Sequence, residues 1–141
     1  MASSTYAGSR SGSQQARIVG GVRGEGPGPE IMAADTLEGD DVVNCQGENL
    51  GKIKEIMIDV QSGQVAYAVL SSGGFLGIAD KLFAIPWGAL TLDAEQKCFI
   101  LDANKEKLEN APGFDKDHWP AMADITWAQQ VHDYYGQQAY W

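Results

Sequence analysis

The chain has 141 residues, 44% of them hydrophobic, and a formal net charge of −9, a length that suits one domain with a tail. All three arginines lie in the first 30 residues, and the remainder sets seven lysines against 17 acidic residues. Without guanidinium groups to pair bidentately with phosphate, that acidic body argues against nucleic-acid binding and against anionic membrane surfaces. No run of 18 apolar residues occurs, so no membrane-spanning helix is expected.

Residues 1–30 hold seven of the 17 glycines and five serines with almost no apolar periodicity. They read as a disordered, flexible arm. Within it, Arg17-Ile18-Val19-Gly20-Gly21 imitates the activation junction of trypsin-like proteases, but the chain has no Gly-Asp-Ser-Gly to accompany it. The domain is expected to start near Ile31, with a first strand over Val42–Cys45 and a tight turn at Gln46–Asn49. A second strand runs from Lys52 to Val60. Its alternation slips, because Ile56, Ile58 and Val60 share one face and Ile53 is out of phase with them. A β-bulge near Lys54 and Glu55 would turn both sets inward. Asp59 precedes the hairpin turn Gln61–Gln64 and is expected to accept hydrogen bonds from its backbone amides. Gly63 is free to take positive φ there.

The stretch from Val65 to Trp87 organises the rest. Val65–Ser72 alternates with apolar residues on both faces, Gly73-Gly74 breaks the strand, and Leu82–Ile85 forms the next one. Pro86 ends that strand or holds it at a sheet edge. Phe75 and Leu76, at the tip of the intervening loop, must plug the barrel or meet a partner. A fifth strand over Lys97–Asp102 completes five or six antiparallel strands, which suit a small, partly open β-barrel over residues 31–111. Cys45 and Cys98 read as reduced core residues in a cytoplasmic protein, with a disulfide between neighbouring strands as the alternative.

The end of the chain turns helical. Asn104–Asn110 makes two turns and stops before Pro112. In the C-terminal extension, residues 112–141, Trp127, Val131 and Tyr134 recur at helical spacing after a cap at Asp124 or Thr126, and Gly136 suits the position just past the end. Gln129, Gln130, His132 and Asp133 form the wet face. Tyr140 and Trp141 close the chain, and aromatic residues there point to docking on the barrel or on a second subunit.

Three segments in order carry a family resemblance. They are Gly47-Glu48-Asn49-Leu50-Gly51-Lys52-Ile53-Lys54-Glu55-Ile56-Met57-Ile58-Asp59, then Gly73–Trp87 (GGFLGIADKLFAIPW), then Lys107–Phe114 with Trp119-Pro120. Together they resemble the PRC-barrel domain, the small barrel shared by the cytoplasmic part of the photosynthetic reaction centre H subunit and the ribosome maturation factor. The third segment is similar to the short stand-alone bacterial members. The resemblance implies a mainly β fold with C-terminal helices, and a scaffolding or binding module without a shared catalytic residue.

The residues themselves offer no catalytic set. The near carboxylate pairs, Asp40-Asp41 and Asp115/Asp117, lie in loops and nothing distinguishes them from a solvated acidic surface. His118 and His132 have no Cys or Glu at metal-ligand spacing, and no nucleophile elbow or phosphate loop is present. No cofactor or metal is expected. The surplus is aromatic and apolar, with Phe75, Leu76, Trp119, Trp127, Val131, Tyr134, Tyr140 and Trp141 as candidate partner- or dimer-binding residues. The reading is a non-catalytic binding or assembly module, an adaptor that forms a homodimer. The alternatives are a small apolar-ligand carrier with its pocket between barrel and C-terminal helix, a ribosome- or RNA-processing assembly factor, and a hydrolase using acidic loop residues.

Overall fold

A computed structural model describes residues 15–21, 24, 26–73 and 81–141. Seven strands form one sheet: β1 (Arg17–Val19), β2 (Asp41–Val43), β3 (Asn49–Ile58), β4 (Val65–Ser71), β5 (Leu82–Pro86), β6 (Leu90–Asp93) and β7 (Cys98–Leu101). Among the described residues, three α-helices accompany them: α1 (Ala34–Leu37), α2 (Lys105–Glu109) and α3 (Ile125–Tyr134). The order across the sheet is β1-β6-β7-β2-β3-β4-β5, and it does not close on itself.

The fold is mainly β with C-terminal helices, in a curled sheet consistent with a partly open barrel. Two details differ from the sequence reading. There are seven strands rather than five or six, and the sheet is mixed rather than antiparallel, because β1 pairs with β6 and β2 with β7 in parallel. Hairpin neighbours are forced to run antiparallel, as β3–β4 and β6–β7 do. Strands brought together from distant parts of the chain carry no such constraint.

β1 is also a correction to the arm. Composition gave residues 1–30 no structure, yet Arg17–Val19 pairs with Thr91–Asp93, and the Ala94 amide donates to the Val19 carbonyl at 2.8 Å. Three residues are too few for periodicity to reveal. What recruits them is the otherwise bare edge of β6.

The bulge in β3 falls where the slipped alternation placed it, but it does not turn both sets inward: Ile58 is exposed at the strand's end and Val60, past that end in the hairpin turn, is exposed too. Ile53 pairs with Leu70 and Glu55 with Val69, so Lys54 is the extra residue. Lys54 and Glu55 both face solvent, while Ile53 is buried and Ile56 packs against the core. Gly51 sits where β3 passes closest to β4. It has φ +142°, and a Cβ there would lie 2.1 Å from the Ser71 carbonyl oxygen. Only glycine fits such an approach.

β4 is buried along most of its length because both faces are covered, which is why it reads as a continuous apolar run. β5 is the sheet edge, ending at Pro86 as its missing N–H allows, and Leu82 exchanges two backbone hydrogen bonds with Phe114 (2.8 and 2.9 Å). The core gathers Val42, Leu50, Leu70, Phe83, Ile85 and Phe99.

The cysteine reading needs amending. β2 stops at Val43, and the buried Asn44 takes over, its Oδ1 accepting from the amides of Gln46 (3.1 Å) and Glu48 (2.9 Å). Cys45 is thereby pushed into an exposed turn instead of the core, Cys98 is half-buried, and both are free thiols. Of the two caps the sequence offered for α3, Asp124 is the one used, accepting from the Thr126 amide at 2.9 Å, while Asn104, read as the first residue of its helix, instead caps α2 by accepting from the Lys107 amide at 2.7 Å.

Candidate functional site

The hairpin joining β3 to β4 is built by Asp59, whose Oδ1 accepts from the amides of Gln61 (3.1 Å) and Ser62 (3.2 Å). Those amides, the Ser62 amide foremost, and the Tyr140 hydroxyl hold the Asp59 carboxyl below the usual carboxylate range. The hairpin forms one wall of an open groove of about 1100 Å³. Ile18 of β1, with Met32 and Leu37, forms the opposite wall, and Ile56, Trp87, Leu92 and Phe99 also line it. The Trp87 and Phe99 rings meet edge-on at 5.8 Å. Gln15, Glu30, Ser62 and Gln64 supply the polar lining. Large apolar side chains stand exposed on the segments that line it, Ile58 at 52%, Ile31 at 70% and Val60 at 90%. Chemically this is a surface for apolar groups.

A second cluster surrounds Tyr67 of β4. Its ring lies 5.3 Å from Trp127 and 5.4 Å from His132 of α3, and 6.3 Å from Tyr140. His132 is 2% exposed, donates from Nδ1 to the Ala128 carbonyl (2.8 Å), and meets Trp141 edge-on at 5.0 Å. This corrects its place on the wet face. The buried stripe of α3 and its C-cap residue is Ala128, Val131, His132 and Tyr135, with Trp127 and Tyr134 half-buried beside it. The Tyr67 and Tyr135 hydroxyls are buried with no hydrogen-bond partner, and burial raises both phenols well above the ordinary value. Tyr140 is raised too, by burial and then by its hydrogen bond to Asp59.

Of the candidate residues, Trp127, Val131, Tyr134, Tyr140 and Trp141 come together on the chain's own barrel. Tyr134 secures that packing by donating from its hydroxyl to the Lys107 carbonyl. Trp119 stands apart, tilted against Phe114 with ring centres 5.0 Å apart and its indole N–H donating to the Lys116 carbonyl at 3.0 Å. Phe75 and Leu76 lie outside the described residues. Sequence reasoning missed the groove, His132 and Tyr67. The recurrence of Ala128, Val131, His132 and Tyr135 at i, i+3, i+4 and i+7 was the available signal for the histidine. The groove had none, since its walls come from segments far apart in the chain.

The acidic pairs are modest. Asp41 Oδ1 accepts from Lys52 Nζ at 2.6 Å, which holds its pKa down, while burial and then the neighbouring Asp41 raise Asp40. Asp115 and His118 pair at 2.7 Å on the exposed surface. Among the described residues no three His, Cys, Asp or Glu are grouped to hold a metal ion, and no helix is long and apolar enough to cross a membrane.

A curled mixed sheet with a β3 bulge, an edge strand closed by proline and a glycine-tight β3–β4 approach invites comparison with known small barrels. The family model of the PRC-barrel domain matches residues 29–108, more than half of the chain. The chain belongs to the PRC-barrel domain family. A comparison with curated proteins gives no match. The PRC-barrel match runs from Pro29 into α2. β1 and the aromatic α3 therefore lie outside it, as additions on either side of the barrel proper.

Proposed function

We propose that this PRC-barrel is a non-catalytic binding and assembly module of the cytoplasm that works as a homodimer. The observation that carries the reading is the apolar rim of the groove. Ile58 lines the groove and Ile31 and Val60 are exposed on segments that border it, beside Ile18, Met32 and Ile56, and large apolar side chains left in water beside a groove favour an interaction site. Trp127, Tyr134 and Tyr140 of the C-terminal extension pack on the chain's own barrel, whereas Trp119 and Trp141 stay exposed at 38% and 48%; the groove face, with three exposed aliphatic side chains on its bordering segments, is our choice of dimer surface. Two free thiols suit a reducing compartment.

Sedimentation equilibrium tests the dimer. The wild-type chain is expected to sediment as a dimer at about 100 µM, and Ile58→Asp with Val60→Asp as a monomer of unchanged circular dichroism, because neither side chain is buried. A monomeric wild type, or a double variant that still dimerises, would refute it. Esterase, phosphatase, glycosidase and nuclease substrates should give background turnover only, and turnover lost on a single Asp→Asn change would overturn the non-catalytic reading.

The groove volume favours a second reading, an apolar-ligand carrier, since pockets for small molecules span roughly 300–1000 Å³. Its pocket would lie between barrel and N-terminal segment rather than under the C-terminal helix. Saturable binding of a fluorescent fatty acid, lost in Trp87→Ala of unchanged circular dichroism but kept in a monomeric variant, would favour the carrier over the dimer.

A further inference from the structure

The hairpin wall of the groove has little to hold it in place. Gln61, Ser62, Gly63 and Gln64 are all exposed, and Val60 before them is 90% exposed, so burial does not set the position of the turn. Ser62, Gln64 and Val65 nevertheless line the groove, and Val65 pairs in register with Ile58, which lines it too. Something outside the hairpin must fix it if the groove is to keep one shape.

The C-terminal tail, residues 137–141, is placed to do so. It follows α3 with no helix or strand of its own and lies beyond the segment matched by the PRC-barrel model. Tyr140 and Trp141 close over His132, with ring centres 6.0 and 5.0 Å away, and Tyr140 meets Tyr67 of β4 edge-on at 6.3 Å. Gln138 and Tyr140 also border a crevice too narrow for water, together with Val65 and Trp87, the two residues that line the groove as well. The Tyr140 hydroxyl donates to the Asp59 carboxylate, which itself accepts from the Gln61 and Ser62 amides and so builds the turn. Hydrogen bonds to a charged acceptor are the stronger kind. One tail residue thus reaches both supports of the wall, the turn at Asp59 and the start of β4 at Val65.

We propose that the tail is a brace for the groove, with Tyr140 as the positioning residue that fixes the β3–β4 hairpin as one wall. The inference rests on the reading of the groove as the interaction surface and adds to it the element that shapes that surface. Coupling of this kind is reciprocal: tail docking strengthens association at the groove face, and association protects the tail by the same factor.

Tyr140→Phe removes the hydroxyl and keeps the ring on Tyr67 and His132. Tyr134→Phe is the control, since it removes a tyrosine hydroxyl bond that α3 makes to the Lys107 carbonyl instead of to the hairpin. Both variants should melt within a few degrees of wild type. Hydrogen exchange at neutral pH should show the protection of the Asp59–Gly63 amides falling at least about threefold in Tyr140→Phe and unchanged in Tyr134→Phe. The β6–β7 amides should keep wild-type protection in both. Sedimentation should give Tyr140→Phe a dimer at least about threefold weaker, and wild-type residues 137–141 should exchange more slowly at about 100 µM than at about 1 µM. Hairpin protection equal to wild type in Tyr140→Phe, or an equal loss in Tyr134→Phe, overturns the brace. So does a hairpin that loosens while the dimer keeps its affinity. A monomeric wild type refutes the dimer reading instead, and the hairpin exchange then decides the brace by itself.

Discussion

Replacing Gly51 with alanine tests the close approach of β3 to the end of β4. The added Cβ would lie 2.1 Å from the Ser71 carbonyl oxygen, 3.0 Å from its carbon and 3.2 Å from the Ser72 Cα, all backbone atoms of β4 or its end. No rotamer change relieves such a clash, so β3 and β4 must separate. Overpacking of this kind costs about 1–3 kcal/mol, and holding alanine at φ +142° adds about 1–3 kcal/mol of backbone strain. The sum, about 2–6 kcal/mol, is a large part of the stability of an ordinary domain. It corresponds to a fall in melting temperature of about 6–24 °C for a chain of this size. Gly47→Ala is the control: Gly47 also has positive φ, but nothing lies within 4 Å of its added Cβ, so it carries the strain without the clash. Thermal unfolding of the two variants by circular dichroism reads the difference. A Gly51→Ala protein that melts within about 2 °C of wild type, or no lower than Gly47→Ala, would refute the argument.

Tyr67→Phe removes a buried hydroxyl that has no hydrogen-bond partner, so it should raise stability by about 1 kcal/mol, where loss of a satisfied hydroxyl would lower it; chemical denaturation decides the sign. Acid should loosen the C-terminal tail. Asp59 has a lowered folded pKa, so its contribution is complete above the unfolded carboxylate value of about 3.9 and is lost as pH falls through the lower folded one. The protection factors of residues 137–141, each rate being divided by its intrinsic value at that pH, should therefore fall below about pH 4, and Asp59→Asn should lower them already at neutral pH; equal protection in the two proteins would break the link to Tyr140. Iodoacetamide should modify the exposed Cys45 well before Cys98, whose thiol is half-buried and raised by burial and then by Asp93, Asp41 and Asp40; mass spectrometry of a timed reaction gives the order, and faster labelling of Cys98 would contradict it.

What the sequence determined by itself was local. Alternation in Val65–Ser71, the slipped phase between Ile53 and Ile56, the capping residue Asp124 and the amide-binding Asp59 each act within a few residues of chain. Their outcome is written in spacing and side-chain chemistry, and the PRC-barrel segments rest on the same signals. Tertiary structure decided everything that depends on strands meeting from afar. Arg17–Val19 became β1 because β6 offered an edge, and β2 ran parallel to β7 because no hairpin constrained the pair. His132 moved from the wet face to the core because Tyr67, Tyr140 and Trp141, from a strand and a tail, close over it. The groove is the extreme case: Ile18, Met32, Ile56 and Phe99 are unremarkable apolar residues in the chain, and only the curl of an unclosed sheet makes them one surface.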